Sequence, residues 1–326
     1  MSTKWKIFLA ILGLAVTTVW FAVFSYPDKK LHLIACDVGQ GDAILAVFGE
    51  TQILVDGGSN NKVLECLDSH LPFWDRTIEL IVLTHPQTDH FGGLIDVFKN
   101  YEVEKFLATS LDSSSRDYQA LKEVVGGSAT EVINPTSGMV IRLGTIYLDI
   151  VWPTYEFLAE NLTANSSSEV AEGTPARWKN EGGILGSSIT TLDPNDFSVV
   201  AILRFGEFDA LLTGDIGSDV INEILATESV GDMEYIKIPH HGSKNGLTQE
   251  LLDASTPEVA VISSGKNNSY GHPHKEVLDM LSRYNLSAVR LNSPSKSGKA
   301  GLRVFRTDMD GSVEVITDGD RIWMGE

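Results

Sequence analysis

The chain has 326 residues, of which 43% are hydrophobic and 21% are charged, a composition that is typical of a globular protein and excludes a disordered one. Its 25 basic and 44 acidic side chains give a formal net charge of −19. No general basic surface therefore exists to hold nucleic acid or an anionic membrane face. The two cysteines, Cys36 and Cys66, are too few for a disulfide framework or a thiolate metal site, and we expect both to be ordinary buried side chains.

Residues 1–30 are predicted to form an N-terminal membrane anchor. Residues 7–26 carry no charge, follow Lys4 and Lys6, and end in aromatic residues that are typical of a membrane interface. About twenty apolar residues cross a bilayer as a helix, so we expect one transmembrane helix here. The two lysines favour a cytoplasmic N terminus, which would place the following domain outside the cytoplasm. The alternative is a removed signal segment and a secreted protein.

From residue 31 the chain alternates between predicted strands and helices. Short apolar runs at 31–37, 43–48 and 52–56 are separated by glycines, which predicts adjacent antiparallel strands joined by tight turns. Helical spacing at 62–70 is followed by an apolar strand at 79–84 and by a helix that opens near Gly92. Residues 140–152 are predicted to form another β-hairpin. Residues 153–196 contain few apolar side chains and predict a long exposed loop or insertion.

The C-terminal half repeats this alternation. Further predicted strands lie at 197–205, 208–213, 235–238, 259–263, 288–291, 302–306 and 312–316, and an amphipathic helix lies at 274–284. Strand clusters that are interleaved with helices predict an α/β fold in which two sheets are sandwiched between helices. We expect residues 31–326 to form one domain.

The histidines carry the functional signal. Six of the eight lie in three short clusters, each on a turn after a predicted strand, at residues 85 and 90, 240 and 241, and 272 and 274. A lone histidine is more often a structural hydrogen-bonding group than a ligand, but three such clusters favour a metal centre. Asp89 and Asp215, like these histidines, lie just after predicted strands. Imidazole nitrogen and carboxylate oxygen suit zinc, and manganese also accepts them.

The first cluster lies in the run His-Pro-Gln-Thr-Asp-His at residues 85–90. Here His85, Gln87, Asp89 and His90 can project from one tight loop toward a common point. The start of the following helix favours Asp89 as an anion. Asp89 could instead be only the N-cap of that helix, although that role would not require the two histidines.

This run resembles the His-x-His-x-Asp-His signature of the metallo-β-lactamase fold superfamily. More closely, the chain resembles the hydrolase domain of the competence protein ComEC. The matching motifs are Asp-Val-Gly-Gln-Gly-Asp-Ala at 37–43, Val-Asp-Gly-Gly at 55–58, Leu-Thr-Gly-Asp at 212–215, Pro-His-His-Gly-Ser at 239–243 and Asn-x-x-Tyr-Gly-His-Pro at 267–273. A single hydrophobic segment takes the place of ComEC's multispan region, so we expect a stand-alone, membrane-anchored hydrolase domain.

The resemblance implies an αββα sandwich of the metallo-β-lactamase type with metals at the sheet edges. It implies that His85 is a ligand of the first metal and that Asp89 and His90 are ligands of the second. Asp215 matches the aspartate that bridges the two metals. With these donor types we expect the bound ions to be zinc, one or two in number, with manganese as a possible substitute.

The same resemblance has implications for further positions at the expected metal centre. One histidine of the His240–His241 pair should complete the second metal site, and the spacing leaves open which one does. Asp56 matches an aspartate that orients a metal-bound histidine. Gln87 stands where the superfamily usually has histidine, and Ser198 lies roughly where the middle ligand histidine is missing. A one-metal or asymmetric two-metal centre is therefore an open alternative.

The expected chemistry is hydrolysis by a metal-bound hydroxide, because a divalent metal lowers the pKa of bound water toward neutrality. Asp89 or Asp215 could position the nucleophile and take its proton. The expected substrate contacts are Ser243, Lys244, Asn267, Tyr270 and His272. The alternative for the Tyr-Gly-His-Pro stretch is a rigid turn that is capped by histidine.

We therefore expect a metal-dependent hydrolase of phosphodiester substrates, with extracellular DNA in competence as a candidate. The net charge of −19 and the lack of a basic stripe with interleaved aromatic residues argue against long polyanions. One alternative is a small-ester or phosphoester hydrolase at the cell envelope. A second is a non-catalytic, metal-stabilised binding module. No protein partner is indicated.

Overall fold

The structure, a computed structural model, describes residues 2–24, 28–164, 183–227, 229–291 and 301–325. The strands are β1 (Leu31–Ala35), β2 (Ile44–Phe48), β3 (Thr51–Val55), β4 (Thr77–Leu83), β5 (Glu102–Ala108), β6 (Glu131–Ile133), β7 (Val140–Leu143), β8 (Ile146–Trp152), β9 (Thr163–Ala164), β10 (Ser188–Ile189), β11 (Val200–Phe205), β12 (Phe208–Leu212), β13 (Tyr235–Lys237), β14 (Val259–Ile262), β15 (Arg303–Arg306), β16 (Val313–Thr317) and β17 (Ile322–Met324). The helices are α1 (Thr3–Phe24), α2 (Lys62–His70), α3 (Thr88–Phe91), α4 (Leu94–Asn100), α5 (Arg116–Gly126), α6 (Tyr155–Asn161), α7 (Ser218–Ala226), α8 (Gln249–Ser255), α9 (Lys275–Leu291) and α10 (Thr307–Asp310), with short 3-10 helices at Pro194–Phe197 and Pro239–Gly242.

Two large sheets organise the domain. One has the strand order β17-β16-β1-β2-β3-β4-β5-β6, and the other has the order β15-β14-β13-β12-β11-β8-β7. In the first sheet β1, β3, β4 and β5 point the same way, and in the second β12 to β15 do. The loops that follow parallel strands leave a sheet at one edge, so side chains from distant parts of the sequence converge there.

Three apolar cores hold the layers together. The core between the sheets includes Leu33, Leu80, Leu203 and Val261. The outer face of the first sheet packs against α2, α4 and α5, and that of the second packs against α7, α8 and α9. Burying each large apolar side chain contributes about 1.5–3 kcal/mol. The layer order is αββα, as expected.

The N-terminal residues do form a helix, α1, and its described side chains, including Trp5, Ile7 and Phe8, are exposed. Within the described part of the chain, no helix combines the length and the apolar character that crossing a bilayer requires. The structure therefore does not support the predicted transmembrane helix.

The expectation that Cys36 and Cys66 are ordinary buried side chains is wrong, because they form a disulfide with a Cα–Cα distance of 5.9 Å. Cys36 follows β1, and Cys66 lies on the face of α2 that packs against the first sheet. Spacing alone does not reveal the pairing, since the two residues are 30 apart in sequence and meet only when α2 folds back over the sheet.

The strand predicted at 288–291 is also wrong, because α9 continues to Leu291. A short apolar run does not by itself distinguish a strand from the last turn of a helix. Within 153–196, the described residues include α6, the β9–β10 pair and a 3-10 helix that carries Asn195 toward the site. Residues 165–182 of that segment lie outside the described part of the chain.

Candidate metal centre

Imidazole and carboxylate groups converge at the edge of the sandwich where the parallel strands end. Each lies on a loop or short helix that follows a strand of one of the two sheets. The residues are Asp42, Asp56, His85, Asp89, His90, Asp215 and His241, and all except Asp89 are buried. The structure thus brings together most of the ligands that the sequence predicts.

A close backbone approach brings the loop before β2 into this cluster. Gly41 has a φ of +126°, and a Cβ at this position would overlap the backbone carbonyl of Asp89. Only glycine fits there without strain. The backbone N–H of Asp42 then donates to the Asp89 carbonyl at 3.1 Å, and the Asp42 side chain enters the centre.

The residues predicted to bind the second metal lie close together. Oδ2 of Asp215 lies 3.2 Å from Nε2 of His90 and 3.1 Å from Nε2 of His241. Oδ2 of Asp89 lies 3.4 Å from the same atom of His241. His241, and not its neighbour His240, contributes to the sets of potential ligands found among the described residues. The half-buried His240 ring lies beside His272, with 5.6 Å between the ring centroids.

Hydrogen bonds at Nδ1 fix the orientation of the His90 and His241 rings. Nδ1 of His90 donates to Asp56 at 2.7 Å, and the backbone N–H and hydroxyl of Thr84 donate to the same carboxylate, each at 2.8 Å. Nδ1 of His241 donates to the Ser263 carbonyl at 2.9 Å. These bonds direct Nε2 of each ring toward the carboxylates, as outer partners do at metal sites. Asp56 therefore has the position that the resemblance implies.

Three buried imidazole nitrogens at the centre lack a hydrogen-bond partner, namely Nε2 of His85, His90 and His241. The His90 and His241 atoms are near Asp215 but without hydrogen-bond geometry. Buried polar atoms are nearly always paired, and a cation is the partner that imidazole nitrogens and adjacent carboxylates would share. The donor set therefore fits a divalent metal such as zinc or manganese.

His85, the residue predicted to bind the first metal, also lies at the centre. Nδ1 of His85 lies 3.1 Å from the Thr84 hydroxyl and 3.3 Å from that of Ser198, so its Nε2 faces the centre. The Gln87 side-chain amide donates to the Asn195 side chain at 2.8 Å. His85, His90 and Asp215 place ligand atoms within 4.8 Å of one another. The one-metal or asymmetric centre expected from the sequence stays a prediction.

Lys237 is a buried cation at the site that the sequence analysis missed. Its ammonium group pairs with Asp42, lies 3.2 Å from Oδ1 of Asp215 and donates to the Gly214 carbonyl at 2.8 Å. The sequence held a signal, since Lys237 interrupts the apolar run of β13. Asp42 lies in the motif at residues 37–43. Its contact with His241 at 3.4 Å depends on the fold.

Burial and neighbouring charges shift the pKa values of the acidic and imidazole groups at the centre. Burial would raise the pKa of Asp215, but His241, His90 and Lys237 lower it well below its usual value. Burial would lower the pKa of His90 and of His241, yet neighbouring carboxylates raise both well above the usual value. His85 differs, because burial and then His90 lower its pKa to about 3. His85 is therefore a neutral imidazole with a lone pair for a metal.

The predicted substrate residues differ in exposure, and two of them, Tyr270 and His272, are connected to the centre by ring contacts. Lys244, Asn267 and Tyr270 are exposed, whereas Ser243 is buried. The Tyr270 ring stacks on the half-buried His272 ring, with 5.7 Å between centroids and an interplanar angle of 21°. The His272 ring lies 6.2 Å from that of His241, and its buried Nδ1 has no partner. An unused hydrogen-bonding atom thus lies beside the metal ligands.

Comparison with known proteins places this geometry in a family. Residues 36–266 match the family model of the metallo-beta-lactamase superfamily. ComE operon protein 3 of Bacillus subtilis (strain 168) is 24% identical over 94% of this chain and 36% of its own length. Recombination protein 2 of Haemophilus influenzae is 25% identical over 92% of the chain and 32% of its own length. The chain thus spans about a third of these relatives, which are ComEC-like competence proteins.

Among solved structures, the metallo-beta-lactamase fold protein YhfI from Bacillus subtilis aligns with a TM-score of 0.48 and 11% identity, covering 91% of this chain and 100% of YhfI. The family model covers well over half of the sequence and includes the loops that carry His85, Asp89, His90, Asp215 and His241. The chain therefore belongs to the metallo-beta-lactamase superfamily.

Proposed function

We propose that this chain is a metal-dependent hydrolase of phosphodiester substrates. The observation that supports it best is the close approach of Asp215 to His90 and His241 and of Asp89 to His241, where Nε2 of both imidazoles is buried and lacks a hydrogen-bond partner. A divalent ion, when bound, supplies Lewis acidity that activates water and stabilises developing negative charge. His90, Asp215 and His241 would hold it from the buried side.

Asp89 is the ligand candidate nearest to solvent. It is the only partly exposed carboxylate of the cluster, and the imidazoles of His241 and His90 overcome burial to lower its pKa. Its carboxylate is therefore anionic at neutral pH and accepts hydrogen bonds from an attacking water. Asp215 has the same charge but is enclosed, so it orients the ligands while Asp89 faces the substrate side.

The proposed substrate class rests on the chemistry of Lys244, Tyr270 and His272. Lys244 offers a cation, and His272 offers a buried nitrogen without a partner. These groups suit an anionic, oxygen-rich substrate, and the exposed Tyr270 ring gives a flat surface for a substrate group. DNA is one candidate, which the names of the competence-related relatives support. A small phosphoester or ester of the cell envelope is the alternative that the net charge of −19 favours.

The test is hydrolysis of bis(p-nitrophenyl) phosphate by the purified chain with added zinc or manganese. We expect turnover that chelation abolishes and that Asp89→Ala removes. Excess single-stranded DNA should inhibit competitively if DNA is a substrate, and it should have no effect if the enzyme acts on small envelope esters. Binding of metal without turnover on any ester or phosphoester would favour the binding-module alternative.

We further propose that the domain functions outside the cytoplasm. Disulfides persist in oxidising compartments, so the Cys36–Cys66 bond supports this location independently of the N-terminal segment. Membrane attachment through α1 is part of the same proposal. Because both cysteines are buried, the test is alkylation in denaturant of cells quenched with acid, with and without prior reduction. An extracytoplasmic domain should gain two reactive thiols only after reduction.

A further inference from the structure

The domain has an exposed aromatic patch at the end of the sandwich that lies away from the metal centre. Phe73 and Trp74 follow α2, are 69% and 53% exposed, and form an edge-to-face pair with 4.9 Å between ring centroids. They line a cavity together with Leu71 and Pro72 and with Asp28 and Lys30 from the start of the domain. We call Phe73, Trp74 and this cavity the aromatic foot.

The described chain from Asp28 onward is held beside the aromatic foot. Asp28 accepts a hydrogen bond from His32 at 3.0 Å, and His32 pairs with Glu314 at 2.7 Å. The Lys30 ammonium lies 4.4 Å over the ring of Trp323. These contacts fix the first residues of the domain at this end, so whatever surface holds α1 must lie close to Phe73 and Trp74.

Strand direction places the metal centre at the other end. The β1 strand starts beside Lys30 and runs toward Asp42, and β4 starts shortly after Trp74 and ends beside His85. The β4 strand has seven residues, which corresponds to a length of about 23 Å. The aromatic foot and the centre are therefore separated by roughly the length of a strand.

We infer that the aromatic foot docks on a lipid surface and that the metal centre faces away from it. Tryptophan is enriched at the bilayer interface, and phenylalanine occurs with it on the membrane-facing side of interfacial segments. Most of the described side chains of α1, which ends four residues before Asp28, are also apolar and exposed. Among the possible occupants, lipid is the one that accounts for both apolar surfaces at once.

The charge near the aromatic foot predicts the kind of lipid contact. Asp28 and Glu314 lie beside Lys30 around the cavity, so the patch is not a basic one that would seek anionic headgroups. Contact through aromatic burial should therefore persist with zwitterionic lipid and change little with salt. This inference concerns docking and orientation, and it holds or fails independently of the proposed hydrolysis.

The test uses the full chain, whose two native cysteines are paired, so that one introduced thiol can be labelled selectively. Ser69→Cys places a fluorophore beside the aromatic foot, and Asn245→Cys places one at the metal-centre end. With phosphatidylcholine vesicles that carry a nitroxide-lipid quencher, we expect quenching at position 69 to exceed that at 245 by at least twofold. Phe73→Ser/Trp74→Ser in the Ser69→Cys background should remove most of that difference, whereas Tyr155→Ser, a matched change of another exposed aromatic residue, should not.

Three results would overturn the inference. The first is no association of the full chain with the vesicles, and the second is equal or stronger quenching at position 245. The third is a dimer in lipid-free solution that Phe73→Ser/Trp74→Ser dissociates, which would assign the patch to a second copy of the chain. Thermal unfolding of each variant confirms that these exposed substitutions leave the domain folded.

Discussion

The Lys237 ammonium lies 3.2 Å from Oδ1 of Asp215, while Oδ2 of the same carboxylate faces His90 and His241. One oxygen is thus held by a fixed cation, and the other remains available to a metal. Lys237 also neutralises part of the charge of the buried carboxylates, which would otherwise repel one another. The site therefore combines the fixed charge of Lys237 with a carboxylate oxygen that a metal ion could bind.

Removing the Lys237 charge should destabilise the fold. Lys237→Met leaves Asp42 and Asp215 buried without their cation, and we expect the free energy of unfolding to fall by about 3–5 kcal/mol. Urea unfolding of the metal-free protein measures this. Adding Asp42→Asn should restore part of the loss. Lys99→Met, which breaks an exposed pair with Asp96, should cost less than about 1 kcal/mol, and equal losses for both lysines would contradict the assignment.

The two neighbouring histidines should differ in metal binding. We expect His241→Ala to abolish tight binding of zinc in calorimetry, because its Nε2 faces Asp89 and Asp215. His240→Ala is the matched control and should retain it. Asp56→Asn should weaken affinity by about 10–100-fold by loosening His90. Loss of the metal in His240→Ala, with retention in His241→Ala, would show that the ligand is the other histidine.

Metal binding should release protons. Carboxylates raise the pKa of His90 and His241 above the usual 6.5, and a metal ion must displace the protons on these rings. We expect apparent zinc affinity to fall as the pH is lowered from 8 to 6. Calorimetry in buffers of different ionisation enthalpy should detect the released protons, and a binding enthalpy that is independent of buffer would contradict this.

The same shifts fix the pH dependence of stability without metal. A raised histidine pKa contributes stability that is fully present below about 6.5 and is lost as the pH rises through the folded value. The charges of Lys237 and His241 overcome burial to lower the pKa of Asp42 from 3.8 to about 2, so its contribution is present above 3.8 and is lost as the pH falls toward 2. Burial and His90 lower the pKa of His85 from 6.5 to about 3, so its contribution is lost as the pH falls below 6.5. Unfolding by urea should therefore show greatest stability at about pH 6.5, and a flat profile from pH 3 to 9 would argue against these shifts.

Gln87 provides a test of the asymmetric centre. Gln87→His adds an imidazole beside His85, and we expect the variant to bind a second zinc ion more tightly than the natural chain does. Metal content after dialysis, set beside that of Gln249→His as an exposed control, measures this. Unchanged stoichiometry in Gln87→His would show that Gln87 does not limit the first site.

The disulfide should contribute to stability. It closes a loop between residues 30 apart in sequence, for which chain entropy predicts about 3–4 kcal/mol. Cys36→Ser/Cys66→Ser should therefore have a lower Tm in calorimetry. Reductant should lower the Tm of the natural chain but not that of the variant, and an equal effect on both would point to another cause.

Most of the site was predictable because its ligands follow strands in short polar motifs. His85, Asp89, His90 and Asp215 were assigned correctly to one edge, since strand ends of a layered α/β fold converge there. Which histidine of the pair enters the centre was not predictable, because both directly follow the same strand. The orienting contact of Asp42, the Lys237 cation and the disulfide depend on register and on packing between distant segments, which periodicity does not contain.

The most direct test of the central claim combines metal content with turnover on one preparation. The natural chain, loaded with zinc or manganese, should hydrolyse bis(p-nitrophenyl) phosphate, and Asp215→Asn should lose both the metal and the activity. Asp96→Asn, an exposed control, should keep both. Stoichiometric bound metal with no turnover across a panel of phosphodiesters, phosphomonoesters and carboxylic esters would contradict the assignment as a hydrolase.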